Sequence, residues 1–237
     1  MFSRRSDQYG CLALVMVLLC AAMAAAQGSN ANASRTVKAG GGPGQPALTF
    51  RVSASGAQGR IEVRGATGLL LQALGCPLLR DEAQPTAAEL AAAREQFAAG
   101  FAAEDLNFDG YADLKAPREF GAKWARYCVW IFDPSGNQFV KDELAEQMEL
   151  LYNLTADARR HLIVAYSIGP AKPMRDEYRI EPAGANRPYW PRLIPVESCF
   201  ADGPAGDAGT VVVTRYDQGR AAISRLPSGS RGCDGVE

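Results

Sequence analysis

The sequence predicts a mainly β fold: an antiparallel β-sandwich or a small propeller-like sheet arrangement with one or two short helices. Three observations lead there. Short runs of alternating apolar and polar residues recur along the chain. Gly and Pro clusters, from 24 Gly and 14 Pro in 237 residues, punctuate them. Only one segment carries a full set of helix-start signals. About eight to ten short strands with so few helices suit packed antiparallel sheets. No repeat of roughly 20–50 residues is present, so a large propeller of equivalent blades is not supported.

The first 26 residues read as a secretory signal peptide. Arg4 and Arg5 form a basic start, Cys11 to Met23 is apolar, and Ala24, Ala25 and Ala26 offer a small-residue cleavage site. The apolar run is short for a membrane span, which needs about 20 residues. A lipoprotein signal would centre on Cys20, but bulky Leu19 precedes it. Residues 27–46 are rich in Gly, Ser, Asn and Pro and predict a flexible tether. Residues 47–237 then form a single domain, large enough for its own core.

Within that domain, "ALTFRVSA" (47–54) and "RIEVRG" (60–65) alternate and predict a hairpin across "GAQG". "GLLLQAL" (68–74) is a continuous apolar run, suited to a buried strand or a helical turn. Residues 86–99 predict the clearest helix. Thr86 and Glu89 form a T-x-x-E capping box after Pro85, alanine fills the interior, and Gly100 ends it. "YCVWIF" (127–132), the turn "DPSGN" and "QFVK" (138–141) predict a second hairpin. Leu144, Met148 and Leu151 share one face of a short helix or an irregular crossover. Strands follow at 161–169, 175–182 and 192–200, the last placed at an edge or a bend by Pro195. "GTVVVTRYD" (209–217), Gln218-Gly219 and "RAAISRL" (220–226) close the domain with a hairpin.

Composition excludes several functions. The formal charge of −1 becomes −2 once Arg4, Arg5 and Asp7 leave with the signal, and no basic stripe marks a nucleic-acid binder. Four of the six cysteines remain in the mature chain: Cys76, Cys128, Cys199 and Cys233. An even number in an exported chain predicts two disulfides, with the pairing open among three connectivities. Their wide spacing, with a single histidine in the chain, does not suit zinc. That histidine, His161, has no Ser or Cys motif beside it and reads as an exposed strand-end residue. The aromatic set Trp124, Tyr127, Trp130, Phe132 and Phe139 reads as hairpin core.

"DLNFDGYAD" (105–113) carries the chemistry. Asp105, Asn107 and Asp109 alternate, which brings three side-chain oxygens to one side of a tight loop. Gly110 permits a sharp reversal. Tyr111 offers its main-chain carbonyl, and Asp113 ligates directly or through water. Calcium takes six to eight oxygens at about 2.3–2.6 Å and suits this set better than magnesium. An EF-hand would carry a bidentate Glu at the twelfth position, where this chain has Ala116, followed by Pro117. The expectation is an EF-like Ca2+ loop between strands. As catalytic acids the pair Asp105 and Asp109 lack an identifiable partner across a cleft.

The stretch "EDLNFDGYADL…YCVWIFDPSGNQFVKDELAEQ…L" resembles a family of bacterial periplasmic calcium-binding proteins similar to the periplasmic inhibitor of i-type lysozyme. That family includes immunity proteins against peptidoglycan hydrolases delivered by type IV secretion. The match covers residues 104–154. It implies a calcium-stabilised all-β binding protein, with Asp105, Asn107, Asp109, Tyr111 and Asp113 as ion ligands. The inhibitors' S-G-x-x-Y insertion loop has no counterpart in "SGAQG", "SIGPAKPMRDEY" or "SGSRG"; by order, Ser167 to Arg175 is the best-placed insertion loop.

The expected protein is therefore not an enzyme. It is an exported, periplasmic or secreted, calcium-binding protein that binds and neutralises a cell-wall hydrolase. The alternative is a calcium-stabilised envelope module, structural or glycan-binding, without inhibitory activity.

Overall fold

The run from Ala125 to Asp133 organises the molecule. Its members Cys128, Val129, Trp130, Ile131 and Phe132 are all buried. Successive strand residues point to opposite faces, so a run with no polar member must be covered on both sides. Cys128, Trp130 and Phe132 enter one core, and Val129 and Ile131 enter another.

The computed structural model describes residues 34–39, 45–79, 85–121, 123–168, 173–182, 191–202, 210–218, 220–227 and 233. Among them the strands are β1 (Ser34–Ala39), β2 (Leu48–Ser55), β3 (Gln58–Arg64), β4 (Leu70–Pro77), β5 (Ala102–Glu104), β6 (Asp113–Phe120), β7 (Ala125–Asp133), β8 (Gln138–Val140), β9 (Thr155–Asp157), β10 (Leu162–Ile168), β11 (Pro173–Glu181), β12 (Arg192–Asp202), β13 (Thr210–Asp217) and β14 (Arg220–Pro227). Helix α1 is Ala87–Ala99 and helix α2 is Glu143–Glu149. Three antiparallel sheets result, each a meander of consecutive strands: β1 to β4, β5 to β8 and β9 to β14. The mainly β, antiparallel class expected from the sequence is the one observed.

The first core lies between the β1–β4 sheet, α1 and one face of β6 and β7, with Phe50, Val52, Ile61, Phe97, Leu114 and Trp130 at its centre. The second lies on the opposite face of β7, where Leu106, Leu144, Met148, Leu154 and Ile163 meet. Cys76 of β4 joins Cys128 of β7, and Cys199 of β12 joins Cys233 near the end of the chain. The first bond closes a loop of 52 residues, worth about 4 kcal/mol in the chain-entropy account. Two formed disulfides belong to an oxidising, extracytoplasmic setting.

Helix α1 forms as its capping box requires: Glu89 N–H donates to the Thr86 hydroxyl at 3.2 Å, and Thr86 N–H donates to the Glu89 carboxylate at 2.7 Å. Helix α2 starts on Asp142, whose carboxylate accepts from Ala145 N–H at 2.8 Å, and buries Leu144, Ala145 and Met148. Gly59 of β3 lies under this packing: a Cβ there would sit 2.5 Å from the ring of Phe97, which is fully buried.

Several expectations need correction. The stretch read as a tether contributes β1, paired along its length with β2. Among its described side chains only Val37 packs against the core, so its apolar signal was too weak to see. The run 68–74 is strand from Leu70 onward, but of its leucines only Leu74 enters a core: Leu69, Leu70 and Leu71 are 66%, 43% and 51% exposed. Strand β12 is not an edge; it lies between β11 and β13. Pro195 is accommodated by a register shift opposite Glu177 and Tyr178, since a bulge removes the need for its missing N–H. Pro117 in β6 sits at the same kind of shift. The expected signal peptide and residues 169–172 of the expected insertion loop lie outside the described residues.

Gly59→Ala should destabilise the protein by about 1–3 kcal/mol through overpacking against the buried ring of Phe97. Urea unfolding monitored by tryptophan fluorescence would read this. An unchanged midpoint would mean that α1 shifts freely on the sheet.

Candidate metal site

The loop 105–112 joins β5 to β6, closing on the cross-strand pair Glu104 and Asp113. Both ends are anchored. Leu106 is fully buried in the second core, and Tyr111 packs on Phe132 of the first with ring centroids 5.6 Å apart. The loop therefore spans the layer between the two cores.

Asp105, Asn107 and Asp109 converge. Asp109 N–H donates to Asp105 Oδ1 at 3.1 Å and to Asn107 Oδ1 at 3.2 Å, so these two oxygens meet at one donor. Gly110 N–H donates to Asp105 Oδ2 at 2.9 Å, and Tyr111 N–H donates to Asp109 Oδ1 at 2.8 Å. Asn107 Nδ2 donates to Asp109 Oδ2 at 2.8 Å. Gly110 has φ +91°, a conformation that strains any residue with a side chain. The preceding turn places Phe108 at φ +63°, with its ring stacked on His161 at 5.2 Å. The three side chains present only oxygen and amide groups, partly exposed, on one side of the turn. Such a set suits a hard cation. Tyr111 follows at the position whose carbonyl would complete it. Ala116 is buried in the first core and offers no side-chain oxygen.

Asp113 stands apart. It is fully buried, and its Oδ2 accepts from Leu106 N–H at 2.8 Å and Asn107 N–H at 3.2 Å. Its Oδ1 accepts from Phe132 N–H of β7 at 2.8 Å. Three of the roughly four acceptor positions of a carboxylate are thus taken by main chain. Burial pushes its carboxyl up to about 7, against the opposing pull of these N–H groups. The side chain holds the loop's entry against the sheet.

Sequence reasoning missed two supports. Gln45 brackets Ala112, accepting from its N–H at 3.0 Å and donating to its carbonyl at 3.3 Å. Lys115 is buried beside the loop, ion-paired with Glu104 and donating to Leu154 O at 2.8 Å. Neither partner lies near in sequence, so no local pattern could reveal them. His161 is exposed, as expected. Trp130, Phe132 and Phe139 are core, and Trp124 packs edge-on against Tyr152 at 5.5 Å. Among the described residues, Glu197, Cys199 and Cys233 also bring ligand atoms within 4.8 Å of one another. Both sulfurs there are held in a disulfide, which removes them as thiolate ligands.

A solved structure of a Xanthomonas type IV secretion system related protein overlays on this chain with a TM-score of 0.45 and 16% identity, covering 81% of this chain and 97% of that one. No family model matches the chain, and no curated protein matches it.

Asp113→Ala should cost about 3 kcal/mol or more in chelator, because buried N–H groups lose their acceptor. The carboxyl is raised from its ordinary value of 3.8 to about 7 in the folded state. Its contribution is therefore full below about pH 4 and is lost as pH rises through about 7. The gap in unfolding midpoint between wild type and variant should narrow from pH 5 to pH 8. An equal gap at both values would show a carboxylate ionised throughout.

Proposed function

We propose that this is an exported calcium-binding protein that binds and neutralises a cell-wall hydrolase. The observation that carries the calcium reading is the meeting of Asp105 and Asn107 oxygens at one N–H, beside Asp109 and the left-handed Gly110. Calcium would be held by the side chains of Asp105, Asn107 and Asp109 and the carbonyl of Tyr111, with water completing its shell. The ion is structural in this reading, ordering the turn between β5 and β6.

A binding role rather than an enzymatic one fits the available groups. All four described cysteines are disulfide-bonded, so none is a nucleophile. His161 is stacked on Phe108 rather than paired with a hydroxyl or thiol. The hydrolase as target comes from the resemblance of residues 104–154, and the periplasm from the signal peptide together with the disulfides. The glycan-binding alternative calls for outward aromatic rings, whereas Trp130, Phe132 and Phe139 are buried. No helix among the described residues is long and apolar enough to cross a membrane.

Saturating calcium should raise the melting temperature by about 5 °C or more, as expected for a ligand well above its Kd. Magnesium should do less, and Asp105→Ala/Asp109→Ala should abolish the shift. Equal shifts with both ions would sink the calcium reading. For the target, purified muramidases, amidases and endopeptidases would be assayed on peptidoglycan with an excess of the protein. Loss of one activity supports neutralisation; full activity and no binding across the panel at micromolar concentration would overturn it.

A further inference from the structure

The outer face of the β1–β4 sheet carries a cluster of arginines. Its residues follow from the register: Thr49 is opposite Arg64, Arg51 opposite Glu62, and Ser53 opposite Arg60. On the next strand Leu70 is opposite Arg64, Ala73 opposite Glu62, and Gly75 opposite Arg60. Thus three arginines surround one glutamate, on a floor of Ser, Thr, Ala and Gly. Glu62 interacts with all three: Arg64 donates to it from Nη2 at 2.7 Å, Arg60 lies at 3.5 Å, and Arg51 acts on it through its charge. The Arg64 guanidinium, ahead of the others, holds the Glu62 carboxyl below its usual range. Among its described side chains the face keeps a surplus of two positive charges, on a chain whose net charge is −1.

A pre-formed apolar margin borders this face. The β3–β4 turn is fixed by Gly65 N–H to Leu69 O at 3.0 Å, Gly68 N–H to Gly65 O at 2.9 Å and Arg64 Nη1 to Gly68 O at 2.9 Å. It presents Leu69 and Leu70 beside the arginines, while Leu71, also exposed, lines a pocket with Leu48, Val63, Phe132 and Phe139 on the inner side of the sheet. A hydrogen-bonded tip with two exposed leucines gives a partner apolar contact without first having to be ordered. Exposed apolar groups clustered beside fixed charges mark interaction sites.

We propose that this face, Arg51, Arg60 and Arg64 with the Leu69 and Leu70 margin, is the docking surface for an acidic protein. Charge complementarity selects the occupant. Guanidinium groups on a flat sheet match carboxylates by paired hydrogen bonds, and small floor residues let a partner chain approach closely. A second copy of this face would oppose arginine to arginine. The inference deepens the proposed function by naming where the neutralised hydrolase sits, and rests on that reading for the partner's identity.

The test uses the full mature protein, with Arg51→Glu/Arg60→Glu and Leu70→Asp as separate variants and Arg51→Lys/Arg60→Lys as the conservative control. Arg64 is left intact because it braces the turn. The probes are the hydrolase found by the panel above, poly-L-glutamate, and phosphatidylglycerol vesicles, at low and high salt. Docking here predicts hydrolase binding about tenfold or more weaker in the charge-reversed variant, partly restored by lysine, and weaker in Leu70→Asp. Poly-L-glutamate should bind wild type in a salt-dependent way and fail on the reversed variant. If a hydrolase binds all variants equally, this surface is wrong while the proposed function stands. If poly-L-glutamate binds by this face but every hydrolase fails, the function is wrong while an acidic partner remains supported. Vesicle binding lost in the reversed variant, without binding to either acidic probe, would overturn the proposal in favour of a membrane contact.

Discussion

Burial of both faces of β7 is the constraint on which the architecture depends. Because Cys128, Trp130 and Phe132 serve one core while Val129 and Ile131 serve the other, neither outer layer can be removed without exposing half of this strand. The Cys76–Cys128 bond ties the first sheet to the same strand. Asp113 completes the arrangement by accepting the β7 N–H of Phe132. A one-residue slip of β7 would exchange the two cores' residues and break both ties, so register here is strongly specified.

The neighbouring strand shows what this position demands of charged residues. β6 reads D-L-K-A-P-R-E-F, a poor strand by propensity, yet it is buried over most of its length. Lys115 is accepted because Glu104 and the Leu154 carbonyl meet it, with the Tyr127 ring 5.3 Å away. Glu119 lies between Arg118 at 3.3 Å and Arg126 at 3.5 Å, and Glu149 receives Arg118, Lys141 and the N–H of Val129. Such pairs add little net stability over apolar replacements, but breaking one leaves a buried charge uncompensated. They favour one register of β6 against β7.

What the sequence could reveal was set by range. The capping box of α1, the β2–β3 and β13–β14 hairpins and the loop at 105–113 act between residues a few positions apart, and each was legible. The apolar run of β7 announced burial but not that it divides between two cores. β1 stayed hidden because an outer strand needs only main-chain pairing, and β6 because its buried charges are paired by distant residues. Pro195 misled where it suggested an edge: like Pro117, it sits at a register shift inside a sheet. At the candidate site, the alternation of Asp105, Asn107 and Asp109 was visible. The anchoring of Asp113 to Phe132 and of Ala112 to Gln45, each far away along the chain, was not.

The loop and the basic face lie on different sheets, yet one line of aromatic contacts joins them. Tyr111 packs on Phe132, Phe132 on Phe139 at 5.2 Å, and Phe139 on Phe50 at 5.8 Å. Phe50 projects inward from β2, between Thr49 and Arg51, which project outward. Tyr111 thus closes the end of the core that supports the arginine-bearing sheet, and the turn carrying Asp105, Asn107 and Asp109 reaches that sheet through packed rings. In the proposed reading, an ion at those three residues would act on docking without touching the partner, by lowering the conformational freedom that docking must remove.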